Sequence, residues 1–335
     1  QEAAQPQAPP TKVGAVPDFD GDGMADLVYG VGTTRSYVAV SYGSGRAQTI
    51  TRTDVGGTDP ASDDNIMGFG QGLLARDLNG DAYTDLVVVD ASQGAGSAIY
   101  LAFGSADGLR PAQAKRYPVP AGMYGFHGTP ALLESPGRLL VVPVWVPANV
   151  AKGGAVLAYQ LGVDGLPGGA PKVLSQKNLP GTDEPGDGFG AAIAASKNLL
   201  LIGSPGEDVG KTKDAGAVTV LRYLGEGRFS GSVITQNSKG VPGKAAKGDR
   251  FGTAVAIADG YAAVGVPAKD GVKRDSGAVV TFKVSGGKLK PLAMITQDSA
   301  KVPGKSEIND RFGSAVAVIR ACKGGAGLLV GTSRE

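Results

Sequence analysis

Short apolar segments separated by turns run along most of the chain, and this pattern predicts β-strands. Examples are LLLIGSP from Leu199, YAAVGVP from Tyr261 and GLLVGTS from Gly327, which are rich in aliphatic residues and end in small or turn-forming ones. Segments of about five to seven residues with this composition are typical of strands, and we predict no helix. No apolar run approaches the roughly 18 to 20 residues that a membrane-spanning helix requires.

The segments recur in a repeat of about 60 residues that opens with a Phe-Gly dipeptide. The dipeptide lies at Phe69, Phe189, Phe251 and Phe312. A degenerate copy at Phe126 has His127 in place of the glycine. His127 is the only histidine and could be catalytic, but a changed motif residue in a degenerate repeat is the simpler interpretation. Each repeat holds four apolar segments, which predicts an antiparallel four-stranded sheet.

The order of these segments resembles a known repeat. The order is Phe-Gly-x-Ala-Val-Ala, an optional acidic loop, Leu-Leu-Val-Gly-x-Pro and then Gly-Ala-Val-x-Val. This order is similar to the FG-GAP repeat of integrin α-chain β-propellers and of secreted bacterial proteins built from the same unit. The resemblance is specific in the last three repeats and weaker in the first, which has no Phe-Gly, and in the third. It implies an all-β fold, a β-propeller of four-stranded antiparallel blades that stack radially around an axis.

The repeats divide the chain into a short lead and one domain. Residues 1–12, rich in Ala, Gln and Pro, are predicted to form a flexible lead, and residues 13–335 a single FG-GAP β-propeller domain. The predicted repeats run about 13–67, 68–124, 125–187, 188–249, 250–310 and, incomplete, 311–335. Five full repeats plus a half do not close neatly, so we expect six or seven blades in the complete ring. A further C-terminal segment or a partner chain would complete the last blade.

Two nine-residue acidic loops precede apolar segments in the first two repeats. The first carries Asp18, Asp20, Asp22, Met24 and Asp26, and the second carries Asp77, Asn79, Asp81, Tyr83 and Asp85, at positions 1, 3, 5, 7 and 9. Side-chain oxygens at positions one, three, five and nine and a backbone carbonyl at position seven form an oxygen cage suited to Ca²⁺. No nitrogen or sulfur ligand is offered, so zinc and copper are poor candidates. The sequence predicts two calcium sites, and integrin-like propellers bind calcium in the same loop.

Strand order predicts which loops share an end of the sheets. In a four-stranded meander, the turns between strands 1 and 2 and between strands 3 and 4 lie at one end, and the remaining connections lie at the other. The acidic loops belong to the first class. The long loops belong to the second: Val144–Gly154, Ser204–Gly216, Val266–Gly277, and the connections around Pro242–Lys244 and Pro303–Lys305. We call this second end the long-loop face.

The long-loop face is the predicted binding surface, because binding residues concentrate on loops that a rigid scaffold holds. Its lysines alternate with acidic residues, so a solvated rim of mixed charge is the alternative interpretation. Trp145, the only tryptophan, stands at the end of a predicted strand that leads to this face, where it could anchor a ligand or pack against the protein.

The amino-acid composition limits the kinds of binding partner and cellular location that we expect. Lys and Arg (33) nearly balance Asp and Glu (31), and a net charge of +2 gives no reason to expect nucleic acid. The 54 glycines and 21 prolines suit many tight turns. A start at Gln1 followed by small residues is common after removal of an export signal, so we expect a secreted, extracellular protein. Cys322 is the only cysteine; it is either buried or paired outside this chain.

Two functions fit these patterns. The first is a secreted, calcium-binding propeller that acts as a binding or scaffold module through the long-loop face, with an unidentified protein, glycan or lipid as ligand. One histidine and one cysteine leave little for a catalytic triad, and G-x-S-x-G, H-E-x-x-H and phosphate-loop motifs are absent. The alternative is a hydrolase acting on a glycan, ester or phospholipid, or the non-catalytic propeller part of a larger, proteolytically processed secreted enzyme. Fold alone does not decide between them.

Overall fold

The computed structural model describes residues 16–32, 36–58, 68–92, 96–320 and 325–334. In these residues the regular structure consists of 22 β-strands and two 3-10 turns, Thr53–Val55 and Pro111–Gln113. Within most of the sheets, strands that follow one another along the chain pair antiparallel. The predicted all-β fold is therefore confirmed. The predicted lead and Cys322 lie outside the described residues.

The first of two compact units comprises the residues up to 130 together with residues 161–169. Its first sheet contains β1 (Leu27–Val31), β2 (Tyr37–Ser41) and β3 (Ala47–Ile50). Its second sheet contains β4 (Phe69–Arg76), β5 (Asp85–Asp90), β6 (Ala98–Ala102) and β7 (Lys115–Pro118), and the short strand β8 (Gly125–Phe126) follows. The first sheet shows three strands in the described residues. The remaining strand of this repeat is predicted in a segment that begins at residue 13, before the first described residue.

The second unit comprises residues 131–160 and those from 170 onward. Its first strands are β9 (Ala131–Leu133), β10 (Leu139–Trp145), β11 (Ala155–Gln160) and β12 (Lys172–Leu174). The next two sheets are β13 (Ala192–Ser196), β14 (Leu199–Ser204), β15 (Ala217–Gly225) and β16 (Arg228–Ile234), then β17 (Ala254–Ala258), β18 (Tyr261–Val266), β19 (Ala278–Ser285) and β20 (Lys288–Ile295). The last described sheet pairs β21 (Ala315–Arg320) with β22 (Ala326–Gly331).

The Phe-Gly motif joins neighbouring sheets. Phe251 is fully buried between apolar side chains of β14–β15 and of β18–β19. Gly252, which follows it, has a φ of +94°, and a Cβ there would lie 2.5 Å from the carbonyl oxygen of Ala217 in the preceding sheet. Gly216, from the Gly-Ala-Val segment, has a φ of +86°, and its Cβ would lie 2.2 Å from the carbonyl oxygen of Phe251. The two motif glycines therefore let the backbones of adjacent sheets approach each other more closely than any side chain would allow.

Replacing Gly216 by alanine is expected to destabilise the protein more than the same change at Gly248. Both residues have similar positive φ values, +86° and +79°, so both variants incur a backbone cost of about 1–2 kcal/mol. A Cβ at Gly248 meets nothing within 4 Å, whereas the one at Gly216 meets the Phe251 backbone. We expect a further loss of about 1–3 kcal/mol for Gly216→Ala, measured by chemical denaturation. Equal losses in the two variants would contradict this account of the motif.

Candidate metal centre

The first acidic loop brings three carboxylates together just before β1. Oxygen atoms of Asp18, Asp20 and Asp22 lie within 4.8 Å of one another, and among the described residues this is the one such convergence of three or more acidic, histidine or cysteine side chains. Asp20 is 8% exposed. The Oδ1 atoms of Asp18 and Asp20 are buried and accept no hydrogen bond. Anionic oxygens placed in this way are unfavourable on their own and are suited to a bound cation.

The aspartate at position nine of each loop has a structural contact that the sequence did not indicate. Asp26 Oδ2 accepts the Phe19 N–H at 2.6 Å, and its Oδ1 accepts the Gly43 N–H at 2.8 Å. In the second loop, Asp85 accepts the N–H groups of Leu78 at 2.7 Å and of Gly104 at 3.0 Å. Each position-nine carboxylate thus ties its own loop to the turn after the third strand of its repeat.

The repeated turn sequence is the signal that could have revealed these contacts. Gly43 lies in Tyr-Gly-Ser after β2, and Gly104 lies in Phe-Gly-Ser after β6. The contacts also show that the acidic loops lie beside the turns between strands 3 and 4, as strand order predicts. Because each oxygen of Asp26 and Asp85 has a further lone pair, these hydrogen bonds leave room for a metal ligand role.

The second acidic loop is closed by hydrogen bonds among its own residues. Asp77 Oδ1 accepts the Gly80 N–H at 2.5 Å and its Oδ2 accepts the Ala82 N–H at 3.2 Å. The Asn79 side-chain amide donates to Asp81 Oδ2 at 2.9 Å. Tyr83 at position seven donates its N–H to Asp81 at 3.0 Å, just as Met24 donates to Asp22 at 2.7 Å in the first loop. The two loops therefore share a backbone conformation around positions five to seven, although their carboxylates are arranged differently.

Burial makes ionisation costly in both loops. Burial raises the pKa of Asp20, and the neighbouring charges of Asp26 and Asp22 raise it further. Burial also raises the pKa of Asp26, and it raises the pKa of Asp85 to about 7 although two backbone N–H groups oppose the shift. A divalent cation in the loops would offset this cost, because a nearby positive charge stabilises the ionised carboxylate.

Arg46 provides the positive charge next to the first loop. Its Nη2 lies 3.4 Å from Asp20 Oδ2, while its Nη1 donates to the Asp107 carbonyl at 2.7 Å and its guanidinium lies over the Tyr42 ring. The arginine side chain is 48% exposed, so this long contact neutralises Asp20 only partly. The buried Oδ1 of Asp20 remains without a partner.

The two loops are joined to each other through Thr84, which the sequence analysis did not single out. Its Oγ1 accepts the Asp18 N–H at 3.0 Å, and its own N–H donates to the Asp18 carbonyl at 2.9 Å. Thr84 is 1% exposed and occupies position eight of the second loop. The first ligand of one predicted site is therefore held by the last turn of the other, which couples the conformations of the two loops.

Hydrogen bonds also show which loops meet on the long-loop face. The Gly248 N–H donates to the Lys213 carbonyl at 3.0 Å, and the Asn309 N–H donates to the Arg274 carbonyl at 3.0 Å, so in these two repeats the connection after the second strand contacts the connection after the fourth. Lys213 pairs with Asp208 at the surface, which agrees with the mixed-charge interpretation, whereas Lys269 and Asp249 pair in the interior. Trp145, at the end of β10, is 58% exposed.

Comparisons with known proteins support the fold and the repeat. Residues 234–282 match the FG-GAP repeat model, so the recognition of this repeat in the sequence is confirmed. No curated protein sequence matches the chain significantly. The chain resembles the periplasmic gluconolactonase PpgL of Pseudomonas aeruginosa with a TM-score of 0.52 and 16% identity over 92% of this chain and 76% of that one. At this identity the likeness shows the fold alone.

Weaker structural likenesses carry no argument about function. AofleA of Arthrobotrys oligospora has a TM-score of 0.44 at 11% identity, over 93% of this chain and 80% of that one. NanB sialidase of Streptococcus pneumoniae has a TM-score of 0.41 at 13% identity, over 92% of this chain and 46% of that one. The sheets of β4–β7, β13–β16 and β17–β20, the FG-GAP match and the likeness to PpgL together define a β-propeller protein with four-stranded antiparallel blades.

The described residues include no helix with the length and hydrophobicity needed to cross a membrane.

Proposed function

We propose that this protein is a secreted, calcium-stabilised β-propeller that acts as a binding or scaffold module through its long-loop face. The observation that carries the calcium part is the convergence of Asp18, Asp20 and Asp22, two of which hold a buried oxygen without a partner. Carboxylate and carbonyl oxygens in a short turn suit a hard cation that accepts six to eight ligands, which favours calcium over magnesium. Millimolar extracellular calcium would fill such sites, which agrees with the expected secretion.

The second acidic loop supports a second calcium ion. Asp77, Asn79 and Asp81 would contribute side-chain oxygens, and the Tyr83 carbonyl and Asp85 would complete the set as Met24 and Asp26 do in the first loop. The ion would relieve the repulsion between Asp77, Asp81 and Asp85, since the first two raise the pKa of the third beyond the effect of burial. Binding in this loop would also order Thr84, and through it Asp18.

The ligand of the module would bind at the long-loop face. Loops of the same repeat pair there by backbone hydrogen bonds, and the long loops carry lysines, acidic residues and the exposed Trp145. Such a surface suits a protein, a glycan or a lipid headgroup. The purified chain, probed against glycan and lipid arrays with and without calcium, tests this proposal; binding that is lost when Trp145 is replaced by alanine would locate the contact on this face.

A hydrolase is the second candidate, because the chain shares its fold with a protein named as a gluconolactonase. A panel of sugar lactones, esters and glycosides distinguishes the two functions. Turnover by the purified chain would favour the hydrolase, and its absence together with array binding would favour the module.

Replacing one side-chain ligand in either loop is expected to remove one bound calcium ion. Asp20→Ala and Asp81→Ala should each lower the calcium stoichiometry by one ion per chain, because each removes a ligand at position three or five. Isothermal titration calorimetry measures this. Asp107→Ala is the matched control, since the Asp107 side chain is 87% exposed and lies outside both loops. An unchanged stoichiometry in Asp20→Ala and Asp81→Ala would contradict the calcium assignment.

A further inference from the structure

Every described junction between neighbouring sheets of the last three repeats contains a buried aspartate two residues before the Phe-Gly phenylalanine. Asp187, Asp249 and Asp310 are each 2% exposed. Each accepts the backbone N–H of the residue three positions earlier, at 2.8, 2.8 and 2.5 Å. The carboxylate is therefore a regular part of the junction, and the question is what neutralises its charge.

In the junction before Phe251, a lysine neutralises the carboxylate. Lys269 Nζ lies 2.7 Å from Asp249 Oδ2 and donates to the Lys244 carbonyl, also at 2.7 Å. The side chains of this ion pair are only 13% and 3% exposed. An ammonium group thus occupies a small, oxygen-lined space between the two sheets.

In the preceding junction, Glu207 takes the place of that lysine. The Gly216 N–H donates to the Glu207 carbonyl at 2.9 Å, as the Gly277 N–H donates to the Lys269 carbonyl at 3.0 Å, so the two residues are structurally equivalent. Glu207 is 7% exposed. A buried cation beside the aspartate has therefore been replaced by a second buried anion, which is strongly unfavourable unless another cation is present.

The same junction also has a glycine where the next junction has an alanine. Gly153 accepts the Phe189 N–H as Ala215 accepts the Phe251 N–H, so Gly153 stands where the next junction has alanine. A Cβ at Gly153 would lie 2.8 Å from Asp187 Oδ2, 3.0 Å from Gln176 Oε1 and 3.0 Å from the Glu184 carbonyl oxygen. Three oxygens therefore face one open space beside Gly153.

Gln176 adds a further unpartnered oxygen, a feature that recurs at Gln236 and Gln297 in the following junctions but that at Gln176 faces the space beside Gly153. Gln176 is 5% exposed, and its Nε2 donates to Glu207 Oε2 while its Oε1 accepts no hydrogen bond. A buried amide oxygen without a partner is costly, and here it is directed at the same space as Asp187 Oδ2. Together they offer the ligands that a positively charged ion needs.

The charges around Asp187 are mostly negative. Asp187 borders a cavity of about 250 Å³ that is also lined by Glu184, Asp208 and Lys213. Lys213 is 69% exposed and pairs with Asp208. Burial raises the pKa of Asp187 to about 6, and Glu184, Asp183 and Asp208 add to the shift. Burial raises the pKa of Glu207 as well, and Asp187 and Glu184 raise it further.

We propose that the space between Gly153, Asp187 and Glu207 binds a hard metal cation, calcium being the candidate, in place of the lysine ammonium of the next junction. The carboxylates of Asp187 and Glu207, the Gln176 amide oxygen and the Glu184 carbonyl are its ligands. A set composed only of carboxylate, amide and carbonyl oxygens is typical of calcium and excludes a preference for zinc or copper. The site is separate from the acidic loops, which lie in the first unit.

The test is to place a lysine ammonium group at position 207, as Lys269 does in the next junction. Glu207→Lys should lower the number of calcium ions bound per full-length chain by one, measured by calorimetry, and should raise the melting temperature in EGTA above that of the wild type. Gly153→Ala is a second variant, which places a methyl group in the space without any change of charge and should also lose one ion. Asp249→Asn is the matched control in the neighbouring junction and should keep the wild-type number.

The outcomes separate this site from the acidic loops. A loss of one ion in Glu207→Lys and Gly153→Ala, but not in Asp249→Asn, supports the proposal. An unchanged number in both of the first two variants overturns it, as does an equal loss in the control. Asp20→Ala and Asp81→Ala test the acidic-loop sites independently. The two loop sites can therefore be confirmed even if the site beside Gly153 is shown to bind no ion.

Discussion

Replacing Arg52 by methionine is expected to cost about 3–5 kcal/mol of the free energy of unfolding. Arg52 and Asp90 form a buried ion pair in the first unit, with side chains 5% and 0% exposed. Arg52 Nε donates to Asp90 Oδ2 at 2.6 Å, and its Nη2 donates to Asp90 Oδ1 at 3.1 Å, so the pair is bidentate. Methionine keeps much of the side-chain length but leaves the Asp90 carboxylate buried without its cation.

The other hydrogen bonds to the Asp90 side chain come from Ser92, which carries no charge. Ser92 donates both its N–H and its hydroxyl to Asp90 Oδ1, at 3.1 and 2.6 Å, and also accepts a hydrogen bond from Arg52. These neutral donors stabilise the carboxylate but add no positive charge. The network joins the segment after β3 to the end of β5, so its loss would loosen the contact between the two sheets of the first unit.

Two control variants test whether the loss of stability comes from the buried charge. Arg110→Met breaks an exposed ion pair with Asp107, whose side chains are 46% and 87% exposed, and should cost no more than about 1 kcal/mol. The double variant Arg52→Met/Asp90→Asn should recover part of the loss, because it also removes the buried charge. Urea denaturation measures all three variants. If Arg52→Met lost no more stability than Arg110→Met, the buried pair would not have the role assigned to it.

Removal of calcium is expected to have an effect of similar size. A ligand that binds only the folded chain stabilises it by about 2.7 kcal/mol at a hundredfold excess over its Kd, so two filled loops would contribute about 5 kcal/mol. Addition of EGTA should therefore lower the melting temperature, and excess calcium should restore it. Thermal unfolding followed by circular dichroism in the β-sheet region measures this shift.

The acidic-loop variants serve as the control for this experiment. A chain carrying both Asp20→Ala and Asp81→Ala should have a smaller response to EGTA than the wild type, because the two loop ions are no longer bound. Magnesium at the same concentration should restore less stability than calcium, since it demands a smaller and more regular ligand shell. Identical melting curves of the wild type with and without EGTA would contradict the calcium proposal.

The sequence by itself determined the class of structure, the repeat and the candidate metal ligands. Strand segments follow from local apolar patterns, and each Phe-Gly begins a repeat because only glycine permits the φ of +94° seen at Gly252 next to the neighbouring backbone. The oxygen ligands of the first loop lie within a few residues of one another, so their spacing alone predicts that Asp18, Asp20 and Asp22 converge, as they do. Such information is local, and a single repeat contains all of it.

Only the tertiary structure decided which distant groups became partners. Arg52 lies 38 residues from Asp90, and Thr84 lies 66 residues from Asp18, and no pattern along the chain pairs them. The exchange of Lys269 for Glu207 is visible when repeats are aligned, but its meaning depends on Asp187, Gln176 and Gly153 meeting around one space. The physical reason is that the free energy of a charged or amide group depends on its burial and its neighbours, and the packing of the sheets determines both. The same group can therefore be paired, be unfavourable or bind an ion, depending on where it lies.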